Sequence, residues 1–176
     1  MKFQVFVILI LVLSFVGCNT NKDQKDESQN DQDYYQFQRL DLSKYDLDAT
    51  IMIPNETAGI GAAFKPQIIH EVSDYKWGIH IGRNFALYIE DYGDNSFRYL
   101  EVRKKLVENT AFKIEIIKEE KDQMLYKRKL DNSYQIFAVK KIGSVFYEFK
   151  SRDEGDNRKV AEFMYRSVKS FKNKNL

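Results

Sequence analysis

The two histidines, His70 and His80, are the first residues to consider for metal or acid–base chemistry. Imidazole nitrogens bind transition metals and change charge near neutral pH. Both histidines fall in segments predicted to be neighbouring strands, so a metal-binding pair is conceivable. However, no HExxH motif, no HxH motif and no Asp/Glu-rich ligand spacing accompanies them. We therefore interpret each as a solvent-facing or hydrogen-bonded strand histidine and expect no metal and no cofactor.

Other motifs that would support catalysis are missing from the sequence. A serine hydrolase needs a nucleophile beside a base, but there is no GxSxG motif, and Ser144 lies in a predicted hairpin. The run Gly59-Ile60-Gly61 lacks the third glycine and the βαβ context of a dinucleotide-binding loop. The acidic pairs Glu90-Asp91 and Glu119-Glu120 lie at predicted strand ends or turns, where solvated charges are expected. We predict no catalytic residue and no enzyme.

Two basic clusters, Lys127-Arg128-Lys129 and Lys140-Lys141, lie near tyrosines. Sheets that carry aromatic and basic side chains can bind single-stranded nucleic acid. The formal net charge is only +2 over 176 residues, which gives no electrostatic reason to expect nucleic acid as a partner. The clusters are therefore interpreted as solvated charges. The single tryptophan, Trp77, could anchor a ligand, although packing in a core or at a sheet edge is the commoner role.

The single cysteine, Cys18, ends a segment that has the composition of a secretory signal peptide. Lys2 provides a positive start, and residues 3–13 are apolar except for Gln4. This apolar run is shorter than the roughly 20 residues of a transmembrane helix, and it matches the apolar region of a signal peptide. An unpaired or intermolecular thiol and an uncleaved anchor helix are the alternatives.

The residues Phe15-Val16-Gly17-Cys18 resemble the lipobox of bacterial lipoproteins. Phe15 replaces the usual leucine, which is similar to lipoproteins of the Bacteroidetes group. The resemblance implies that residues 1–17 are a lipoprotein signal peptide and that Cys18 is acylated, for example with palmitate. Several acyl chains would make attachment stable, since one chain binds a membrane only marginally. The mature chain would then hold no thiol, which excludes disulfides and cysteine nucleophiles.

Residues 18–33 are predicted to be the lipidated cysteine and a disordered tether. Residues 19–33 contain no apolar residue, so they cannot bury enough surface to offset the entropy lost on ordering. Within them, Lys25-Asp26-Glu27 resembles the charged export signals of some Bacteroidetes surface lipoproteins. We expect an outer-membrane lipoprotein of the cell envelope that faces the periplasm, with surface display as the alternative.

Residues 34–176 are predicted to form one α+β domain, because apolar and aromatic residues recur from Tyr34 onward without a second linker. Period-two patterns predict strands at 49–53, 68–72, 76–81, 85–90, 112–117, 123–130, 134–141 and 145–150. Helices are predicted at 96–109 and 157–171. Short turns between the last four strands predict an antiparallel meander. Such segregated runs indicate flanking helices on one face of a sheet whose other face is partly open.

The helical patterns also predict which side chains face the sheet. Residues 96–109 are expected to bury Phe97, Leu100, Leu106 and Val107, and residues 157–171 to bury Val160, Met164, Val168 and Phe171. The partly open face suits the tyrosines Tyr88, Tyr126, Tyr134 and Tyr147.

Three segments resemble PsbP-like (DcrB-related) bacterial lipoproteins. They are Asp41–Tyr45 leading to Ile51-Met52-Ile53-Pro54, the run Gly82–Ile89, and Phe146–Phe149 followed by a helix that ends at Tyr165–Ser170. The resemblance spans nearly the whole domain and implies an antiparallel sheet meander with flanking helices. It implies no activity, because such folds resemble photosystem extrinsic subunits, nuclear-transport regulators and secretion chaperones, and fold analogy alone cannot choose a function.

The expected function is a membrane-anchored, non-enzymatic binding or scaffold module that holds a protein partner on its sheet face or loops. The alternative is an accessory chaperone or immunity-type inhibitor of a secretion system. A small-molecule or metal-binding envelope enzyme is a third possibility, which the lack of motifs disfavours.

Overall fold

In the computed structural model, residues 34–61 and 65–175 are described, and their ten strands form two antiparallel sheets. The smaller sheet contains β1 (Phe37–Asp41), β2 (Ala49–Pro54) and β10 (Lys172–Asn173). The main sheet contains, from edge to edge, β3 (Gln67–Glu71), β4 (Lys76–Ile81), β5 (Phe85–Asp91), β9 (Val145–Ser151), β8 (Tyr134–Ile142), β7 (Gln123–Arg128) and β6 (Ile114–Glu120). The predicted signal peptide, Cys18 and the tether lie outside the described residues.

The main sheet joins two runs of strands that are separated in sequence. Strands β6, β7, β8 and β9 form the predicted antiparallel meander, and β3, β4 and β5 form a second run. Strand β9 pairs with β5 and so connects the runs. The chain turns tightly between β4 and β5 at Gly82, whose φ of +55° is favourable for glycine. This tight turn agrees with the three-residue gap between the predicted strands 76–81 and 85–90.

The helices lie on opposite faces of the main sheet, which corrects the expectation of one helical face. Helix α1 (Arg98–Glu108) packs on one face, and helix α2 (Arg158–Lys169) packs on the other, beneath the smaller sheet. The reason is visible in β7 and β8, where Met124-Leu125-Tyr126 and Ile136–Val139 are buried without alternation. Strands that are apolar on both faces need cover on both faces.

The principal core lies between the main sheet, α2 and the smaller sheet. Asn157 begins α2 by accepting a hydrogen bond from the Val160 N–H at 3.0 Å, a favourable helix cap. The predicted inner positions are all buried, which confirms that part of the prediction: Val160, Met164 and Val168 in α2, and Phe171 just after its end. They pack against sheet residues that include Leu125, Ile136 and Phe149.

Helix α1 packs in a different register from the predicted one. Tyr99, Val102 and Leu106 face the sheet and contact the second core with Met124 and Phe137. The expected inner residues Phe97, Leu100 and Val107 are 67%, 60% and 50% exposed, so that part of the prediction is wrong. Two polar contacts hold the observed register: Arg98 Nε donates to Glu148 at 2.6 Å, and the Tyr99 hydroxyl donates to Glu119 at 3.1 Å.

The smaller sheet contains the two strands that the sequence patterns miss, β1 and β10. Strand β1 pairs with β2 along its full length, and the two-residue β10 pairs with the start of β2. Residues 34–176 form one compact unit with both apolar cores inside it. Within the described ranges, no helix has both the length and the apolar composition to cross a membrane.

Candidate functional site

The part of the main sheet that α1 leaves uncovered is the most distinctive surface of the molecule. Antiparallel pairing aligns side chains in rows across strands, and directly opposed residues share a face. One row crosses β3, β4, β5 and β9 as Ile69, Gly78, Tyr88 and Lys150. The next row is Glu71, Lys76, Glu90 and Glu148, and a shorter third row is Gln67, His80 and Ala86. We call this surface the open face.

A cavity of about 340 Å³ opens on this face. It is lined by residues of all three rows, including Ile69, His80, Tyr88, Glu90 and Lys150. The volume falls within the range of roughly 300–1,000 Å³ that ligand pockets occupy. The open face therefore offers a concave surface of a size that can receive a side chain or a small organic group.

Gly78 forms the floor of the cavity because it has no side chain. A Cβ atom at this position would lie 3.0 Å from His80 Nε2 and 3.6 Å from Tyr88 Cδ1. The glycine thus lets the His80 ring approach the β4 backbone and keeps the centre of the row empty. A glycine inside a strand often marks such a close approach.

His80 forms one wall of the cavity. Its ring meets the Tyr88 ring edge to face, with centroids 5.6 Å apart. Its Nε2 atom is buried and has no hydrogen-bond partner among the described residues. Burial lowers the pKa of the His80 imidazole, and the positive charge of Arg152 lowers it further. The ring is therefore neutral at neutral pH and presents an aromatic surface to the cavity.

The charged row forms the rim of the cavity. Glu90 pairs with Lys76 at 3.6 Å and with Lys150 at 3.4 Å. Lys150 also lies 3.7 Å from Glu148, a nearly buried carboxylate that binds Arg98 of α1. The Lys76 pKa is raised, chiefly by the negative charge of Glu90. The rim therefore carries both signs of charge in pairs and favours neither a purely anionic nor a purely cationic ligand.

The two histidines do not form the conceivable metal pair. His70 lies on the face opposite to His80, since it pairs with Trp77 across β3 and β4 while His80 pairs with Gln67. Its ring stacks on Trp77 with centroids 5.1 Å apart, and its Nδ1 lies 3.7 Å from Asp46. Residues 70 and 80 are an even number of positions apart, which would place them on one face of a single continuous strand. Because a turn separates β3 from β4, the faces are set by the strand pairing, and directly opposed residues such as His70 and Trp77 are an odd number of positions apart. Among residues 34–61 and 65–175, no group of three or more His, Cys, Asp or Glu side chains could hold a metal.

The aromatic residues are divided between the two faces, which corrects the grouping of four tyrosines on one face. Tyr88 lies on the open face, and Tyr126 lies on the same face but is buried under α1. Tyr134 and Tyr147 pack against the principal core on the opposite side. Trp77 is also in that core, where its Nε1 donates to the Tyr45 carbonyl at 2.6 Å.

The basic clusters are dispersed rather than joined into one surface. Lys140 pairs with Asp122 at 2.6 Å, and Arg128 pairs with Asp131. Lys127 lies over the Tyr134 ring and Lys141 over the Phe146 ring, at 5.8 and 5.2 Å from the ring centroids. The side chains of Arg128 and Lys140 are only 17% and 13% exposed, so these two are locally paired and not the solvated charges that the sequence suggests.

Comparison with protein-family models, with curated proteins and with solved structures finds no match to this chain. The site is thus defined by its geometry. The sequence analysis does not single out Gly78, Glu90 or Lys150 as cavity residues, although a glycine in the middle of a predicted strand is a usable signal. The predicted lipidation site, Cys18, lies outside the described residues.

Proposed function

We propose that this chain is a lipid-anchored, non-enzymatic binding module of the cell envelope that holds a protein partner on its open face. The observation that carries the proposal is the cavity of about 340 Å³ on the part of the sheet that neither α1 nor α2 covers. Sheets of this kind usually bury both faces when both are apolar. Here the uncovered part has charged, aromatic and aliphatic side chains together, a composition suited to recognition of another polypeptide.

The contacts of the cavity support a protein partner over a single small ion. Ile69 and Tyr88 provide apolar area at the centre, and the Lys76–Glu90–Lys150 chain provides both donors and acceptors at the rim. Protein interfaces combine an apolar centre with a polar rim in this way. The pairing of the rim charges also keeps the surface soluble when no partner is bound.

The anchor is the second part of the proposal. The signal-peptide pattern and the lipobox-like Phe15-Val16-Gly17-Cys18 support attachment through Cys18. The tether of residues 19–33 would hold the folded domain away from the lipid surface. We propose an outer-membrane location facing the periplasm, with surface display as the alternative.

We also propose kinship with PsbP-like lipoproteins. The observed fold is an α+β domain with antiparallel sheets and two helices. The proposed relation to the PsbP-like group is supported by the three sequence segments that resemble that family. The accessory chaperone and the immunity-type inhibitor remain the alternative functions within the same binding class.

The experiment places a photocrosslinking benzoylphenylalanine at Tyr88 in the full-length chain, in living cells. We expect a discrete adduct with an envelope protein, because residue 88 lines the cavity. The same group at Leu130, a 70% exposed turn residue between β7 and β8, is the matched control and should not give that adduct. Identical adducts at both positions, or none at Tyr88, would reject the open face as the binding surface.

A second variant links the adduct to the cavity itself. Gly78→Val fills the cavity floor and should reduce the Tyr88 adduct, while circular dichroism checks that the fold is retained. Mass spectrometry of the adduct then separates the alternatives: a resident envelope protein favours the scaffold function, whereas a secreted toxin or effector favours the chaperone or inhibitor function.

A further inference from the structure

The two edges of the main sheet differ in a way that points to a second interaction. Edge strands expose unpaired N–H and C=O groups, and proteins protect them with charged residues, bulges, prolines or covering segments. Strand β6 at one edge has this protection: it carries Glu115, Lys118, Glu119 and Glu120 and an irregularity in its pairing between Ile116 and Lys118.

Strand β3 at the other edge has less of this protection: Pro66 precedes the strand, but no proline and no irregularity in the pairing lies within it. Its pairing with β4 is regular over five residues, and Glu71 is its only charged side chain apart from the ionisable His70. In the part of the chain that the structure describes, no segment pairs with its outer edge. Among residues 34–61 and 65–175, the outer backbone groups of β3 therefore have no strand partner.

Exposed apolar side chains surround this edge. Ile69 is 50% exposed, and Val72 and Tyr75 in the turn after β3 are each 64% exposed. Three large apolar side chains are thus exposed within seven residues of one hairpin. The same hairpin thus offers unpaired backbone and uncovered apolar area.

We propose that β3 pairs antiparallel with β3 of a second copy of this chain, about a two-fold axis at Ile69. This register places Ile69 opposite Ile69, Gln67 opposite Glu71, and Ile68 opposite His70 of the second copy. No like charges face each other, and the Gln67 amide can donate to the Glu71 carboxylate. Lys65, which is exposed just before β3, lies one diagonal position from Glu71 of the second copy, within reach of a long side chain.

The pairing has a consequence for the open face. Opposed residues of an antiparallel pair share a face, so both open faces lie on the same side of the joined sheet. Ile69 forms one wall of the cavity, and its counterpart from the second copy extends that wall. Anchoring of both copies to one membrane would raise their effective concentration and favour a short interface.

Disulfide trapping tests the pairing and its register on the purified domain of residues 34–176, which contains both cores and no cysteine. Ile69→Cys should form disulfide-linked dimers about tenfold faster or more than the matched control Leu130→Cys, because pairing concentrates the two thiols. An equimolar mixture of Gln67→Cys and Glu71→Cys should form the mixed dimer in preference to either homodimer. Equal rates at positions 69 and 130 would overturn the proposal.

Sedimentation velocity provides an independent measurement. The unmodified domain should show concentration-dependent dimers, and Ile69→Lys should abolish them by placing two ammonium groups opposite each other. Leu130→Lys should leave them unchanged. A domain that stays monomeric at millimolar concentration would reject self-pairing, and this result would leave the Tyr88 crosslinking experiment unaffected, so the two proposals can fail separately.

Discussion

Gly78 and His80 determine the shape of the candidate site between them. The hydrogen of Gly78 leaves room above the β4 backbone, and the His80 ring lies against that space, with Nε2 at 3.0 Å from where a Cβ would be. The arrangement leaves a ring nitrogen buried without a hydrogen-bond partner in residues 34–61 and 65–175. An unpaired buried polar atom reduces stability, and such exceptions in native proteins often have a functional reason.

His80 also gives the domain a predictable response to acid. Its pKa in the folded state lies below the ordinary value of 6.5, because burial and Arg152 disfavour the charged ring. Between these two pKa values the unfolded chain binds more protons than the folded chain, so the free energy of unfolding falls as the pH decreases below 6.5. The contribution of the neutral His80 ring to the free energy of unfolding is fully present above pH 6.5. It is lost as the pH falls from 6.5 through the lower pKa that His80 has in the folded state.

The variant His80→Gln should therefore weaken the loss of stability between pH 7 and pH 5, as measured by urea unfolding at several pH values. His70→Gln, the other histidine, is the matched control and should keep that loss. If both variants follow the unmodified protein at every pH, the effect does not come from His80.

At the scale of elements, α1 shows that an apolar period in the sequence does not by itself decide which side of a helix packs against the sheet. Phe97, Leu100 and Val107 fit a helical stripe in the sequence, yet they face solvent. The alternative stripe of Tyr99, Val102 and Leu106 faces the sheet. A helix of 11 residues with apolar side chains on two sides can pack in two ways, and the Arg98–Glu148 pair selects one.

We expect Tyr99→Ala to destabilise the domain by about 3 kcal/mol, because it removes a ring that is stacked on Phe137 in the second core. Phe97→Ala and Leu100→Ala should each change the free energy of unfolding by no more than about 0.5 kcal/mol, as surface substitutions usually do. Equilibrium denaturation measures all three. The observed register would be contradicted if Leu100→Ala cost as much as Tyr99→Ala.

At the scale of the whole molecule, the proposed anchoring and the fold belong to separate segments. The folded domain of residues 34–176 contains both apolar cores, and the predicted lipid attachment is at Cys18. A change at Cys18 should therefore alter location without altering the folded domain.

Cys18→Ser in the full-length chain should leave an unprocessed precursor that carries no acyl group, because the thiol is the predicted acceptor. Metabolic labelling with a palmitate analogue and the electrophoretic size of the chain measure both effects. Asn19→Ser, which changes the next residue, should be processed and acylated normally. A Cys18→Ser chain that still matures and enters the membrane fraction would disprove lipidation at this residue.

Much of the secondary structure follows from local patterns. Strand β4 has the predicted bounds, β2, β3, β5 and β9 differ from theirs by one residue at most at each end, and α2 buries the predicted stripe. These elements have clear periods and are bounded by turn residues such as Gly82 and Gly143. Strands β1 and β10 were missed because β10 has only two residues and β1 lies among polar residues without a clean alternation.

The candidate site was less predictable because its parts come from distant segments. Lys150 reaches the cavity because β9 pairs with β5, and the buried Glu148 meets its partner Arg98 because α1 packs on this part of the sheet. Neither contact leaves a signal in the local sequence. Gly78 is the exception, since a glycine inside a strand indicates a close approach whatever the topology.

By itself, the sequence determined the α+β class, the antiparallel meander, the face of α2 and the pattern on which the Cys18 prediction rests. These depend on neighbouring residues: side-chain period, turn chemistry and composition act over a few positions. Only the tertiary structure decided that the helices lie on opposite faces, that His70 and His80 are separated by the sheet, and that no strand among the described residues pairs with the outer edge of β3. Those features depend on which strands become neighbours. Strands from remote segments pair in the arrangement that buries the apolar faces of all the elements at once, so no single segment determines the pairing.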